Sequence, residues 1–191
     1  MVQHDNQIST FKGAFDGGTR PNRFQIEGII GSHMTDTMGT MPDDMETVFV
    51  KAGSMPAQTV GVIPIPYRGR IVKFPGDRTY QEWTFTVIDD AGDEHGSANF
   101  RRKFEGWHES FNMHEENKVA TTDVLNGTNT GVYTQWTVQQ IDMSGIPIAD
   151  RKVTLVNCWP VEIGAIELTY DTADTLTEYS VTIAYDYLEF P

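Results

Sequence analysis

The longest period-two pattern lies near the end of the chain. Over residues 176–187, Tyr179, Val181, Ile183, Tyr185 and Tyr187 alternate with Glu178, Ser180, Thr182, Ala184 and Asp186. That predicts a strand with one buried and one polar face. Shorter alternations mark 23–30, where Phe24 and Ile26 oppose Arg23, Gln25 and Glu27, and 165–170, where Ile166, Leu168 and Tyr170 oppose Glu167 and Thr169. Residues 47–52 and 83–88 add two strands. Residues 133–143 and 152–159 form a hairpin-like pair joined through Ser144-Gly145 and Pro147, and Trp159-Pro160 ends its second strand. The period becomes helical over 98–113, where Phe100, Phe104, Trp107 and Phe111 follow one another at spacings of four, three and four behind Ser97 as N-cap. Such an aromatic stripe covers a sheet. About eight strands and one helix predict an all-β sandwich or small barrel with a flanking helix. No repeat or composition break divides the 191 residues, so a single domain over 1–191 is expected.

The stretch that does not fit a simple sandwich is 51–90. Its extended runs 60–67 and 70–74 flank Arg68-Gly69, which reads as a tight hairpin turn. Pro75-Gly76-Asp77-Arg78-Thr79 predicts a second turn before the strand 83–88. Pro64 and Pro66 cannot donate to a ladder, so their strand belongs at an edge or beyond the parent fold. Yet Val62, Ile63, Ile65 and Tyr67 are too apolar for a solvated edge. Residues 60–74 are therefore expected to form an extended hairpin arm covered by another subunit. Val62, Ile63, Pro64, Ile65, Pro66, Tyr67 and Arg70 would lie at that contact, with Gly76, Asp77 and Arg78 as a structural turn. Residues 1–19 read as a polar arm, and 31–46, with four methionines among Gly, Thr, Ser and Asp, read as a loop.

Composition narrows the function without naming it. Fourteen Lys and Arg against 27 Asp and Glu give a net charge of −13, which disfavours tight binding of DNA or RNA. No apolar run is long enough to cross a bilayer and no signal peptide is expected, so membrane insertion is not. The one cysteine, Cys158, excludes an internal disulfide and sits in an apolar strand, as a buried inert thiol would. The common nucleophile, zinc and phosphate-loop motifs are absent. His108 and His114 are six apart and point to different sides of a helix, and Asp89-Asp90 with Asp93 misplaces the glycine and glutamate of a calcium loop. Asp77-Arg78 has no base or nucleophile beside it and reads as a structural pair. Neither catalysis, nor a metal, nor any other cofactor is expected.

Four motifs in order carry a family resemblance. They are Arg20-Pro21-Asn22-Arg23-Phe24-Gln25-Ile26; the hairpin followed by Gly76-Asp77-Arg78-Thr79, Tyr80 and Trp83; Trp159-Pro160; and Val181-Thr182-Ile183-Ala184-Tyr185-Asp186-Tyr187. From about Thr19 to Phe190 the chain resembles the tail tube proteins of contractile-tailed bacteriophages. The resemblance implies a structural virion protein, assembled in the host cytoplasm into hexameric rings that stack as a tube. Sheath, baseplate and tail-terminator proteins would be its partners, and DNA would pass through the lumen without specific binding. Two polar faces are candidates for the lumen wall: Gln135, Thr137 and Gln139, or Glu178, Ser180, Thr182 and Asp186 with Glu167 beside them. A baseplate tube initiator or the inner tube of a related injection machine shares these features. A carbohydrate-binding β-sandwich would instead need a planar row of exposed aromatics.

Overall fold

The computed structural model describes residues 8, 18–28, 30, 50–89, 100–113, 118–119, 133–171 and 174–191. Most of the expected arm 1–19, the loop 31–46 and the cap Ser97 lie outside them. The all-β expectation holds. In chain order the strands are β1 (Phe24–Gly28), β2 (Val50–Gly53), β3 (Gln58–Tyr67), β4 (Arg70–Tyr80) and β5 (Trp83–Ile88). The helix α1 (Phe100–Phe111) follows, then β6 (Asn112–Met113), β7 (Lys118–Val119), β8 (Thr134–Ile141), β9 (Pro147–Ile163), β10 (Glu178–Ala184) and β11 (Tyr187–Glu189). Seven strands form one sheet in the order β1-β8-β9-β10-β5-β2, with β11 also paired to β9. The β3–β4 and β6–β7 pairs stand apart as two-stranded units.

Strand β9 makes the sheet curl. Its first part pairs with β8, from Ile141↔Pro147 to Thr134↔Cys158, while Leu155 also faces Leu188 of β11. Its last part pairs with β10, through Ala184↔Trp159 and Ile183↔Pro160. Between them Asn157 takes a left-handed φ of 56°, and its side chain donates to Asp186 Oδ2 at 2.7 Å. One bent strand thereby serves two sheet halves. Trp159-Pro160 does not end the strand, as expected from sequence; Pro160 is buried and the strand continues to Ile163. A ladder register shift between Thr182 and Ile183 absorbs the irregularity opposite it.

The curl brings β8 over β5. Trp136 lies 5.1 Å from Phe85 and 6.3 Å from Trp83 between ring centroids, with Phe104 of α1 6.2 Å from Trp136. Phe100, Phe104 and Trp107 are buried, as the stripe predicted, and Phe111 packs on the rim of the core. An indole of this kind buries about 200 Å², roughly 5 kcal/mol of apolar transfer before ordering costs. Gly28 pairs directly with Trp136, and a Cβ there would collide with the indole, so the close approach of β1 requires glycine.

Two further expectations fail. Residues 165–170 do not form a strand: Gly164 N–H donates to the Ser180 carbonyl at 2.7 Å, the ladder ends, and Leu168 is left 88 % exposed. The alternation over 176–187 holds through Tyr185, then reverses. Tyr187 is 41 % exposed and Leu188 is buried, because the chain turns at Asp186 and crosses from β10's partners to pair with Val156, Leu155 and Thr154.

Candidate functional site

The β3–β4 ribbon is held by a two-residue turn. Arg68 and Gly69 have φ of 46° and 81°, the left-handed pair that matches the twist of a hairpin, and Tyr67↔Arg70 closes the ladder. Arg68 pays a modest steric cost here that Gly69 avoids. From that closing pair, hydrogen-bonded and non-hydrogen-bonded positions alternate. Pro64, Pro66 and Pro75 all fall in non-hydrogen-bonded pairs, with Lys73, Ile71 and Val62 respectively. The missing N–H of each would point away from the ladder. The prolines leave the ribbon intact and strip donors from its outer edges, so a partner binds this stretch by its faces and not by adding a strand.

Both faces are apolar. One carries Ile63, Ile65 and Tyr67 opposite Phe74, Val72 and Arg70; the other carries Val62, Pro64 and Pro66 opposite Pro75, Lys73 and Ile71. All of these residues are exposed. With Val60, which is 46 % exposed, eight large side chains at about half exposure amount to on the order of 600 Å², the top of the range for a monomer's apolar patches. The sequence marked the β3 half of this surface but not Ile71, Val72 and Phe74 on its β4 half. The antiparallel register, read outward from Arg68-Gly69, was the available signal.

The expected turn at Gly76, Asp77 and Arg78 is corrected. Strand β4 runs straight through it to Tyr80. The ladder steps from Val62↔Pro75 to Val60↔Arg78, so Gly76 and Asp77 together oppose Gly61: a β-bulge. The glycines serve close packing, since a Cβ on Gly76 would sit 3.2 Å from the Gly61 backbone. Pro75-Gly76-Asp77 carries the residue types of a turn, but the cross-strand ladder holds them extended. Asp77 and Arg78 form no ion pair among the described residues.

The two polar faces differ. On β8, Gln135 is exposed and Thr137 half-buried, but Gln139 is only 7 % exposed and its amide donates to Glu27 Oε1 at 3.4 Å. On β10, Glu178 and Ser180 are exposed and Thr182 half-buried, paired with Ile88, Thr86 and Thr84 of β5. The hydroxyls of Thr84 and Thr182 lie 3.0 Å apart, and Lys51 Nζ reaches Glu178 Oε2 at 2.6 Å. Asp186 is not on this face but at the corner before β11, held by Asn157; Glu167 lies in the connecting segment after β9.

Cys158 is fully buried, its thiol donating to the Leu155 carbonyl at 3.4 Å, and burial pushes it up to about 12. It is a packing residue. Among the described residues no group of three His, Cys, Asp or Glu is placed to hold a metal ion.

The chain is similar to known tail tube proteins. The family model described as "Phage tail tube protein" matches residues 19–190. "Tail tube protein gp19" of Enterobacteria phage T4 is 27 % identical over 179 residues, 92 % of this chain and 95 % of its own length. Among solved structures, the anti-feeding prophage cap superposes with a TM-score of 0.62 at 14 % identity, covering 100 % of this chain and 99 % of that one. A tube-bearing complex, the sheath-tube complex of an extracellular contractile injection system, gives 0.57 at 14 % identity over 97 % and 99 %. At such identities the structures speak for the fold, whereas the family match and the T4 relative cover the ribbon, the bulge and the curled sheet alike. The chain belongs to the phage tail tube protein family.

Proposed function

We propose that copies of this chain close into hexameric rings that stack into the inner tube of a contractile tail, through which DNA passes. Membership of the family makes the role structural and places the protein in the virion. The observation that carries the assembly is the ribbon. Its eight large apolar side chains are left uncovered by the chain that bears them. Burying on the order of 600 Å² per copy at ~25 cal/mol per Å² is about 15 kcal/mol before side-chain ordering, comparable to the loss of translational and rotational freedom, and a ring or stack repeats the contact. Sheath, baseplate and terminator proteins then meet the outside and ends of the stack, and no catalysis is part of the role.

The β10–β5 face suits the channel wall better than the β8 face. It presents Thr84, Thr86, Ser180 and Thr182 as a level, hydroxyl-bearing surface with Glu162 and Glu178 along it, whereas Gln139 on the other face is turned into contacts with Glu27. The acids repel phosphate, the hydroxyls offer only neutral hydrogen bonds, and Lys51 is engaged by Glu178, so among the described residues the face lacks the free cations that hold DNA. At physiological salt their charge is screened over ~8 Å, so they act on the phosphates at contact range.

Negative-stain microscopy of the purified protein at rising concentration tests the assembly. Rings or tubes of uniform bore are expected; a monodisperse monomer at every concentration overturns it.

A further inference from the structure

The ribbon has a counterpart elsewhere in the same chain. We infer that the tip of one copy's β3–β4 ribbon docks on the surface formed by residues 167–171 and 174–176, between β9 and β10, in the next copy. The occupant, a second copy, rests on the proposed tube; the docking surface rests on separate observations.

The first is charge. Residues 58–80 hold Arg68, Arg70, Lys73 and Arg78 against the single acid Asp77, so this stretch is net +3 in a chain of −13. After Lys152 no Lys or Arg occurs, while seven acids do, so 153–191 is net −7. Basic arm and acidic C-terminal stretch thus lie in one polypeptide.

The second is exposed apolar surface in the acidic stretch. The connecting segment is anchored at both ends. Gly164 N–H donates to Ser180 O at 2.7 Å and Gly164 O accepts from Arg101 at 3.0 Å, while Thr177 O accepts from Asp89 N–H at 2.8 Å. Between these anchors Leu168 and Leu176 are 88 % and 76 % exposed, and Tyr170 is fully so. Beside them stand Glu167, Asp171 and Asp174, none of which forms an ion pair among the described residues. Glu178, by contrast, is already taken by Lys51.

These two surfaces answer one another. Each offers large aliphatic and aromatic side chains, one ringed by cations and the other by carboxylates. Arm against arm, or segment against segment, sets like charges together, so the arrangement favours arm against segment. The ribbon's own segment does not cover it, since every residue from Gly61 to Pro75 remains exposed within its own chain. Ten residues of β3 at ~3.3 Å each reach roughly 33 Å, well past the radius of gyration of about 16 Å expected for a chain this long, which puts a neighbour within range. A head-to-tail contact of this kind closes rings or stacks them.

Charge reversal tests the pairing. Arg68→Glu with Arg70→Glu, and separately Glu167→Lys with Asp171→Lys, are each expected to lower sedimentable assembly by at least ~10-fold, and the chain carrying all four changes to recover it. A mixture of Ile65→Cys and Leu168→Cys copies should form a disulfide-linked pair on oxidation, with Cys158 too buried to compete. An Ile65→Cys copy mixed with Met143→Cys is the control. Rings from the Glu167→Lys, Asp171→Lys variant at wild-type level, with no cross-link above the control, overturn the docking and leave the tube reading standing. A specific cross-link without rings supports the docking and sinks the tube; neither rings nor cross-link overturns both.

Discussion

Ile63 lies directly across the ladder from Phe74, and the two side chains remain 51 % and 49 % exposed. Cross-strand apolar pairs usually serve a core. Here the pair sits on a free-standing ribbon whose opposite face is apolar as well, so the ribbon has little to gain from its own chain and much from a neighbour.

Replacing Ile63 and Ile65 by Asp should therefore block polymerisation while the subunit stays folded. Neither side chain touches the core, so circular dichroism should be unchanged and sedimentation should show small species only. Full-length tubes from the double variant would remove the ribbon from the interface.

Gly69→Val should loosen the same ribbon by about 1 kcal/mol, because a β-branched side chain at φ 81° is strained. Thermal unfolding of the body should barely move, while the concentration needed for assembly should rise. A large fall in melting temperature instead would mean that the ribbon supports the fold.

Gly28→Val is the converse case. Its side chain would enter the space of the Trp136 indole, and overpacking of this sort costs about 1–3 kcal/mol. Trp107→Ala, which empties a fully buried site under α1, should cost about 3–5 kcal/mol. Urea unfolding measures both, and a midpoint equal to wild type in either would contradict the packing described.

Alkali should destabilise the subunit through Cys158. Burial raises the folded thiol to about 12 from an ordinary 9.0, so above pH 9 the unfolded chain releases this proton while the folded chain keeps it. The stabilisation is fully present below pH 9 and is lost as pH rises toward 12. Tyr179 and Tyr185, also raised by burial, act in the same direction. Unfolding midpoints should fall across this window, and less steeply in Cys158→Ala. Native Cys158 should resist thiol reagents at pH 8 and react once urea unfolds the chain; rapid native labelling would contradict its burial.

Whatever a local period or a fixed backbone preference could settle was legible along the chain alone. Alternation in 23–30 and 178–185 named inward and outward side chains, the spacing of Phe100, Phe104 and Trp107 named the buried side of α1, and Arg68-Gly69 named the turn. Those signals are local because each depends on neighbours within a few residues. Where the pattern breaks was set by contacts far apart in the chain. Gly76-Asp77 became a bulge because Gly61 opposes them across the ladder, Trp159-Pro160 continued a strand because β10 pairs there, and Tyr187 turned outward because β11 changes partners at Asp186. Leu168 and Tyr170 alternate like strand residues, yet among the described residues no strand pairs with them. Pairing between distant segments overrides local propensity, since each backbone amide must find its partner wherever the chain brings one.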